Sequence, residues 1–306
     1  MRTSWSAISL PATMSLIAKV LPTTKRTMGV SMHSLVRRIP MALGPVLGGL
    51  CIGIWGERDG VRAAFVAALL LSFLAIVLQQ RLIEDEPPRQ PGEECPYLPE
   101  RNPLKLYRLM APNLRRLLVA DILVRYCEQI PYAFVVVWCM KTITSPVSAL
   151  QFGILTCIEM ATAVLVYVPV AYLADRTTKK PFVVTTFVFF TLFPLTLLFC
   201  QSFNLLVLAF ILRGFKEFGE PTRKALIMDL APENCKAGMF GLYYLVRDVF
   251  VSLAAFGGAF LWQVNPATNF LTAFSFGVMG TLVFAFWGSD FPQVEFQDKS
   301  LNLGSD

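Results

Sequence analysis

The stretch LLVADILVRYCEQIPYAFVVVWCM, residues 117–140, is apolar enough to lie in a membrane, yet Asp121, Arg125 and Glu128 stand inside it. Spaced i, i+4 and i+7, the three share one face of an α-helix. If the helix enters a bilayer near Arg116, Arg125 lies about 14 Å deep at about 1.5 Å per residue. That is close to the middle of a hydrocarbon core about 30 Å thick. Charge at such depth is costly unless it meets water or an opposite charge. One side of this helix must therefore face a polar cavity or a charged neighbour.

The rest of the chain has the same character. Of 306 residues, 55% are hydrophobic and only 16% charged, and the mean hydropathy is +0.57. An average soluble domain carries about 25% charged residues. Apolar runs of membrane length separated by short polar joints predict an all-α fold, a polytopic transmembrane helix bundle. The runs fall at 27–55, 61–83, 117–140, 148–173, 181–200, 204–221, 238–262 and 269–287, eight spans in all.

A net charge of +6 could suggest nucleic acid, but its placement excludes that partner. The basic residues sit in alternate joints rather than on one amphipathic face. Lys25 and Arg26, the 81–116 segment, Arg176 with Lys179 and Lys180, and Arg223, Lys224 and Lys236 occupy one set of joints. The opposite set holds only Arg58, Arg62 and Lys141. The positive-inside rule puts the first set and the C-terminal tail in the cytoplasm, as for a multi-pass protein of a bacterial-type inner membrane.

Segment 84–116 is polar and Pro-rich, and reads as a central cytoplasmic connector. It divides residues 1–83, the end of one helical half, from residues 117–290, a second half, with 291–306 as a cytoplasmic tail. The seven cysteines show no CxxC or metal-ligand spacing, so neither a disulfide framework, nor a metal, nor a cofactor is expected. One histidine, His33, and the lack of Gly-x-Ser-x-Gly and His-Glu-x-x-His argue against an enzyme.

An internal repeat runs through both halves. Laid against the chain 210 residues further on, residues 11–50 show nine identities, among them Pro11/Pro221, Pro22/Pro232, Arg37/Arg247 and Gly48/Gly258. The span after Pro22 and the span after Pro232 therefore read as equivalent members of two halves. Six spans separate them by count, so each half is expected to hold six. On that reading the chain is the last two-thirds of a twelve-span protein.

Two motifs then carry a resemblance. Ala171-Tyr-Leu-Ala-Asp175-Arg176-Thr-Thr-Lys179-Lys180 is similar to the loop signature Gly-x-x-x-Asp-Arg-x-Gly-Arg-Arg of the major facilitator superfamily, with Ala171 and Thr178 at its glycines. Gly44-Pro45-Val-Leu-Gly48-Gly49 resembles the end of that family's fifth-helix motif associated with antiporters, although Ser31 and Pro40 stand at its upstream glycines. The resemblance implies transport by rocking of two six-helix halves, and a cytoplasmic gate involving Asp175 and Arg176.

Depth arithmetic gives the candidate site. At about 1.5 Å per residue, Glu159 lies about 17 Å inside its span, Arg213 about 14 Å, and Arg247 and Asp248 about 14–15 Å. With Asp121, Arg125 and Glu128, they form a charged layer expected to line a substrate and proton cavity. The uncharged spans 181–200 and 269–287, and 61–83 with charges only at its ends, are expected to face lipid. Glu159 has no basic residue within a turn of its own helix, which makes it the candidate coupling carboxylate unless Arg125 reaches it. The run from Lys216 to Lys224, with Glu217, Glu220 and Arg223, reads together with Asp175, Arg176, Lys179 and Lys180 as a solvated network at a cytoplasmic gate.

The structural alternative is local neutralisation, by Asp121–Arg125, Arg125–Glu128, Arg213–Glu217 and Arg247–Asp248. The leading function is secondary active transport of a small solute by a monomer in the lipid bilayer, as proton-coupled export. Uptake of an organic anion by proton symport is the alternative, favoured by Arg125, Arg213 and Arg247. A non-transporting membrane sensor or scaffold is a third reading.

Overall fold

The computed structural model describes residues 26–82, 103–232 and 236–290. Most of the connector, the 291–306 tail, the segment before residue 26 and the side chain of His33 lie outside the described residues. Those described form helices joined by turns. Helix α1 (Arg26–Leu82) is a hairpin of two helical arms that meet at Gly56, whose φ of 78° only glycine adopts without strain. The reversal is tight, because the Gly60 backbone lies against Cys51 and Ile52 of the first arm. Then follow α2 (Pro103–Leu109), α3 (Pro112–Gln129) and the single turn α4 (Phe134–Val137), which runs into a π-helical turn at Trp138–Thr142. Helices α5 (Ala149–Arg176), α6 (Lys180–Phe199), α7 (Phe203–Phe215), α8 (Glu220–Leu230), α9 (Lys236–Val264) and α10 (Pro266–Trp287) complete the bundle.

Local chemistry sets these boundaries. Ser148 and Gln151 form a reciprocal capping box at the start of α5, each side chain accepting from the other's backbone N–H. Proline occupies the first turn of α3, α6, α8 and α10, where its missing N–H costs nothing. Pro131 has the opposite effect: α3 stops at Gln129 and the helix resumes only at Phe134.

Six helical stretches among the described residues are long and apolar enough to cross a membrane, and the first of them takes in the turn of the α1 hairpin. The expected span at 204–221 is a correction. Helix α7 ends at Phe215, a turn follows, and α8 continues to Leu230. The break falls where the apolar run gives way to Lys216 and Glu217, which turn inward to partners instead of continuing the ladder.

The spans expected to face lipid all keep exposed apolar residues, among them Leu192 and Phe199 of α6 and Met279, Leu282 and Phe286 of α10, but two of them also pack inward. The second arm of α1 does present its side chains outward, from Phe65 to Leu78. Helices α6 and α10, however, pack on α3 and build the core with it. Gly277 and Gly280 of α10 allow this, because a Cβ at either would strike Cys127 and Thr191 or the Ala120 carbonyl. Charge-bearing α9 keeps an exposed apolar face at Leu245, Val249, Phe256 and Phe260. Absence of charge marks a helix as tolerant of lipid, but here small residues decide which helices sit close together.

Candidate functional site

Three consecutive turns of α3 start the site. Asp121 is fully buried, and its Oδ2 is bound by the guanidinium of Arg223, with which it forms an ion pair, and by the Tyr243 hydroxyl at 3.1 Å. Arg247 reaches the same oxygen at 3.7 Å and Asp248 at 2.6 Å. One turn on, Arg125 donates to Glu128 at 2.8 Å and across the helix gap to Glu220 at 2.9 Å. Its Nε faces Asp121 Oδ1 at 3.7 Å, too far for a hydrogen bond, and neither atom has another hydrogen-bond partner. Arg223 also grips Glu220 through two hydrogen bonds of 2.6 and 3.1 Å. Lys224 lies 3.8 Å from the same carboxylate.

The lattice continues through the broken helix. Lys216, in the turn between α7 and α8, donates to Glu128 at 2.8 Å and lies 3.2 Å from Glu159. Arg213 lies 3.3 Å from the other Glu159 oxygen. Glu159 thus has two cationic neighbours, neither on its own helix and neither of them Arg125. The α7–α5 approach that brings them together depends on Gly214, where any Cβ would strike Thr162 and the Glu159 carbonyl. Arg213 and Lys216 also lie over the rings of Phe193 and Phe190, 5.0 and 5.6 Å from the ring centres. These four residues, with Glu128 and Tyr132, line a small pocket between α3, α6 and α7.

A second cluster links α1 to the α7–α8 turn. Arg38 contacts Glu217 at 2.5 Å and donates to the Tyr167 hydroxyl at 3.1 Å, while Tyr167 donates to Glu217 at 3.2 Å. The expected Arg213–Glu217 pair is therefore replaced by Arg213–Glu159 and Arg38–Glu217. The Asp121–Arg125, Arg125–Glu128 and Arg247–Asp248 contacts are all present. The run from Lys216 to Arg223 is not solvated: Lys216, Glu217, Glu220 and Arg223 are all buried. The apolar residues flanking them at α8 draw the whole segment into the bundle.

The remaining expected gate residues gather at one end of the bundle. Asp175 accepts from the Met28 backbone N–H at 3.0 Å, in the first turn of α1, where a carboxylate complements the helix dipole. Lys179 forms an ion pair with Asp229 near the end of α8. The Lys180 backbone N–H donates to Asp290 at 2.6 Å. Burial pushes the Asp290 carboxyl up from its ordinary value, against hydrogen bonds from the Lys180 and Lys179 backbone that pull it down. Arg176 instead turns outward over the Tyr172 ring, 4.1 Å from its centre.

Of the fifth-helix motif, Gly49 abuts the backbone of Ala149 and Leu150, and the Pro45 carbonyl seats against Gly153. Gly44 and Gly48 face open space. The sequence reading missed Arg38, Tyr167 and Tyr243 as site residues, and it placed Lys216 and Lys224 in a solvated gate rather than in the lattice. Arg38 stands beside the repeat-matched Arg37 within an apolar span, which was a usable signal. Nothing local marks the two tyrosines.

The fold and site define a polytopic helical membrane protein with a buried charge lattice. A sequence profile of the Major Facilitator Superfamily matches residues 4–94 and 117–300, and the chain belongs to that family of membrane transport proteins. Among solved structures, the chain is similar to the crystal structure of a bacterial homologue of the iron transporter ferroportin in an outward-facing state. The TM-score is 0.61 at 15% identity, over 92% of this chain and 69% of the other. Comparison with curated protein sequences finds no match.

Proposed function

We propose that the chain belongs to a proton-coupled exporter of a small solute, operating by alternating access in a bacterial-type inner membrane. The observation that carries this reading is Glu159, a buried carboxylate shared between Arg213 at 3.3 Å and Lys216 at 3.2 Å beside a pocket. Protonating Glu159 removes the charge that holds both cations. Arg213 lies on α7 and Lys216 in the turn where that helix breaks, so the change reaches the α7–α8 joint. Export is favoured slightly by the resemblance of Gly44-Pro45-x-x-Gly48-Gly49 to the antiporter motif. In this reading the ends of α1, α5, α6 and α8 lie at the cytoplasmic side, and Asp175, Lys179, Lys180 and Arg38–Glu217 close the inner mouth. The carrier is read as a monomer of two similar halves.

Proton-driven uptake of an organic anion is the second reading, favoured by the buried cations Arg213 and Lys216, which line the pocket, and by Arg125, which is paired with Glu128. The test is solute movement in proteoliposomes loaded with a pH-sensitive dye, under pH gradients of either sign. Export predicts that an outward solute flux is matched by inward proton flux, and Glu159→Gln abolishes that coupling. Full proton-dependent flux in Glu159→Gln would remove Glu159 from the mechanism.

A further inference from the structure

We infer that helix α2 and the first turn of α3 form a docking surface for anionic phospholipid headgroups, in the leaflet where α3 enters the bilayer. This goes beyond the transport reading: it needs the bundle to sit in a membrane, and neither proton coupling nor a direction of transport.

From Pro103 to Ala120 the chain carries Lys105, Arg108, Arg115 and Arg116 and no carboxylate. Helix α2 sends Leu106 into the core, and Met110 just after it, where both join the cluster around Leu114 and Leu117. Its other apolar side chains point away from the bundle: Leu104 is 74% exposed, Leu109 55% and Tyr107 46%. Lys105, Arg108 and Arg116 are exposed beside them. At headgroup depth such apolar side chains reach acyl carbon while their basic neighbours stay among phosphates.

Contacts fix this platform and its level. The Arg115 guanidinium donates to the Tyr107 and Arg108 carbonyls at 3.0 Å each and lies 5.1 Å from the centre of the Tyr107 ring, closing the end of α2. Arg116 donates to the Trp287 carbonyl at 3.3 Å, at the end of α10. The Trp287 side chain is exposed, as suits an aromatic anchor at a membrane–water interface. That contact puts α2, the start of α3 and the end of α10 at one depth, where headgroups lie.

Charge selects the lipid. Four cations with no acid among them attract anionic headgroups, whereas a zwitterionic lipid brings the same acyl chains without net charge. The competing occupant is the connector, which carries Glu93, Glu94 and Glu100. Acidic side chains would answer the cations and leave Leu104, Tyr107 and Leu109 in water, while a lipid answers both.

The test uses the full chain in nanodiscs of phosphatidylcholine and phosphatidylglycerol, in equal amounts and with matched acyl chains. Lipids that stay bound after extraction in mild detergent are counted by native mass spectrometry. The unaltered chain is expected to retain phosphatidylglycerol in preference, and high salt should weaken that preference. Arg108→Gln and Arg116→Gln should each lower it about fivefold, the worth of one cation near an anionic surface, and Arg108→Lys should keep most of it. Leu104→Ser should lower retention of both lipids alike. Arg62→Gln, on the exposed turn of α1, should change nothing.

Equal retention of the two lipids by the unaltered chain would overturn the inference. So would an equal loss in Arg62→Gln, which would mean a response to net charge wherever it lies. A preference that appears only in the double variant Glu93→Gln/Glu94→Gln would mean that the connector occupies the surface instead.

Discussion

Arg223 shows what a single residue carries in this molecule. Its side chain is almost wholly removed from solvent, and it serves both Asp121 and Glu220. Replacing it with methionine keeps much of the volume but leaves Asp121 to Tyr243 and a 3.7 Å contact with Arg247. Breaking a buried pair from one side typically costs about 3–5 kcal/mol. We expect Arg223→Met to lose about 3 kcal/mol, at the low end of that range because two partners remain. Thermal unfolding in detergent should show it as a marked fall in Tm. The double variant Asp121→Leu/Arg223→Met should recover part of the loss, because the stranded carboxylate is gone. An unchanged Tm in the single variant would mean that Asp121 is already satisfied without Arg223. Asp121, Arg125 and Glu128 were legible from the sequence because a charge in an apolar run declares itself. Their partners were not, since pairing across helices depends on which helix faces which. Arg213 could therefore be matched to Glu217 by spacing along its own helix, while the structure gives it Glu159.

Elements are positioned mainly by small residues. Gly153 of α5 sits where any Cβ would lie 2.7 Å from the Pro45 carbonyl of α1. Gly153→Val should therefore drive α1 from α5 and separate Arg38 from Glu217 and Tyr167. Disulfide trapping between engineered cysteines on α1 and α5 should report the separation as lost crosslinking, at unchanged helix content by circular dichroism. Retained crosslinking would show that the Pro45 backbone can yield. Helix type and most span positions could be read from hydropathy, but the break between Phe215 and Glu220 could not. Hydropathy averages over a window and does not report that Lys216 and Glu217 find buried partners. At the ends of α6 and α10, Asp290 ties the Lys180 backbone to the segment after Trp287. Its carboxyl is raised above the ordinary 3.8, so the folded chain holds that proton more tightly than the unfolded chain does. Its contribution is greatest below 3.8 and is lost as pH rises through the raised value. Asp290→Asn should flatten that part of the Tm–pH curve, and an unaltered slope would place the titration elsewhere.

Among the described residues, the helices before and after residue 103 meet along one extensive seam. Helix α1 lies before the connector and α3 to α10 after it, and α1 touches the later part chiefly along α5 and α8. Among the described residues, polar contacts across that seam run from Arg38 to Glu217, Tyr167 and the Met160 sulfur, and from the Met28 backbone N–H to Asp175. If the parts rock against each other during transport, Arg38–Glu217 must break and re-form in each cycle, and its strength sets the balance of states. Glu217→Gln removes the charge but keeps the shape, and should shift the population toward the form in which the seam is open. A cysteine placed near Tyr167 in a chain otherwise stripped of cysteine should then react faster with a water-soluble maleimide. Reversing the pair, Arg38→Glu with Glu217→Arg, should restore slow labelling, while each reversal alone should accelerate it by placing like charges together. A side chain that only fills space would not show this rescue. Equal labelling of all four variants would mean that the seam does not open, and the charges at Arg38 and Glu217 would then serve assembly alone.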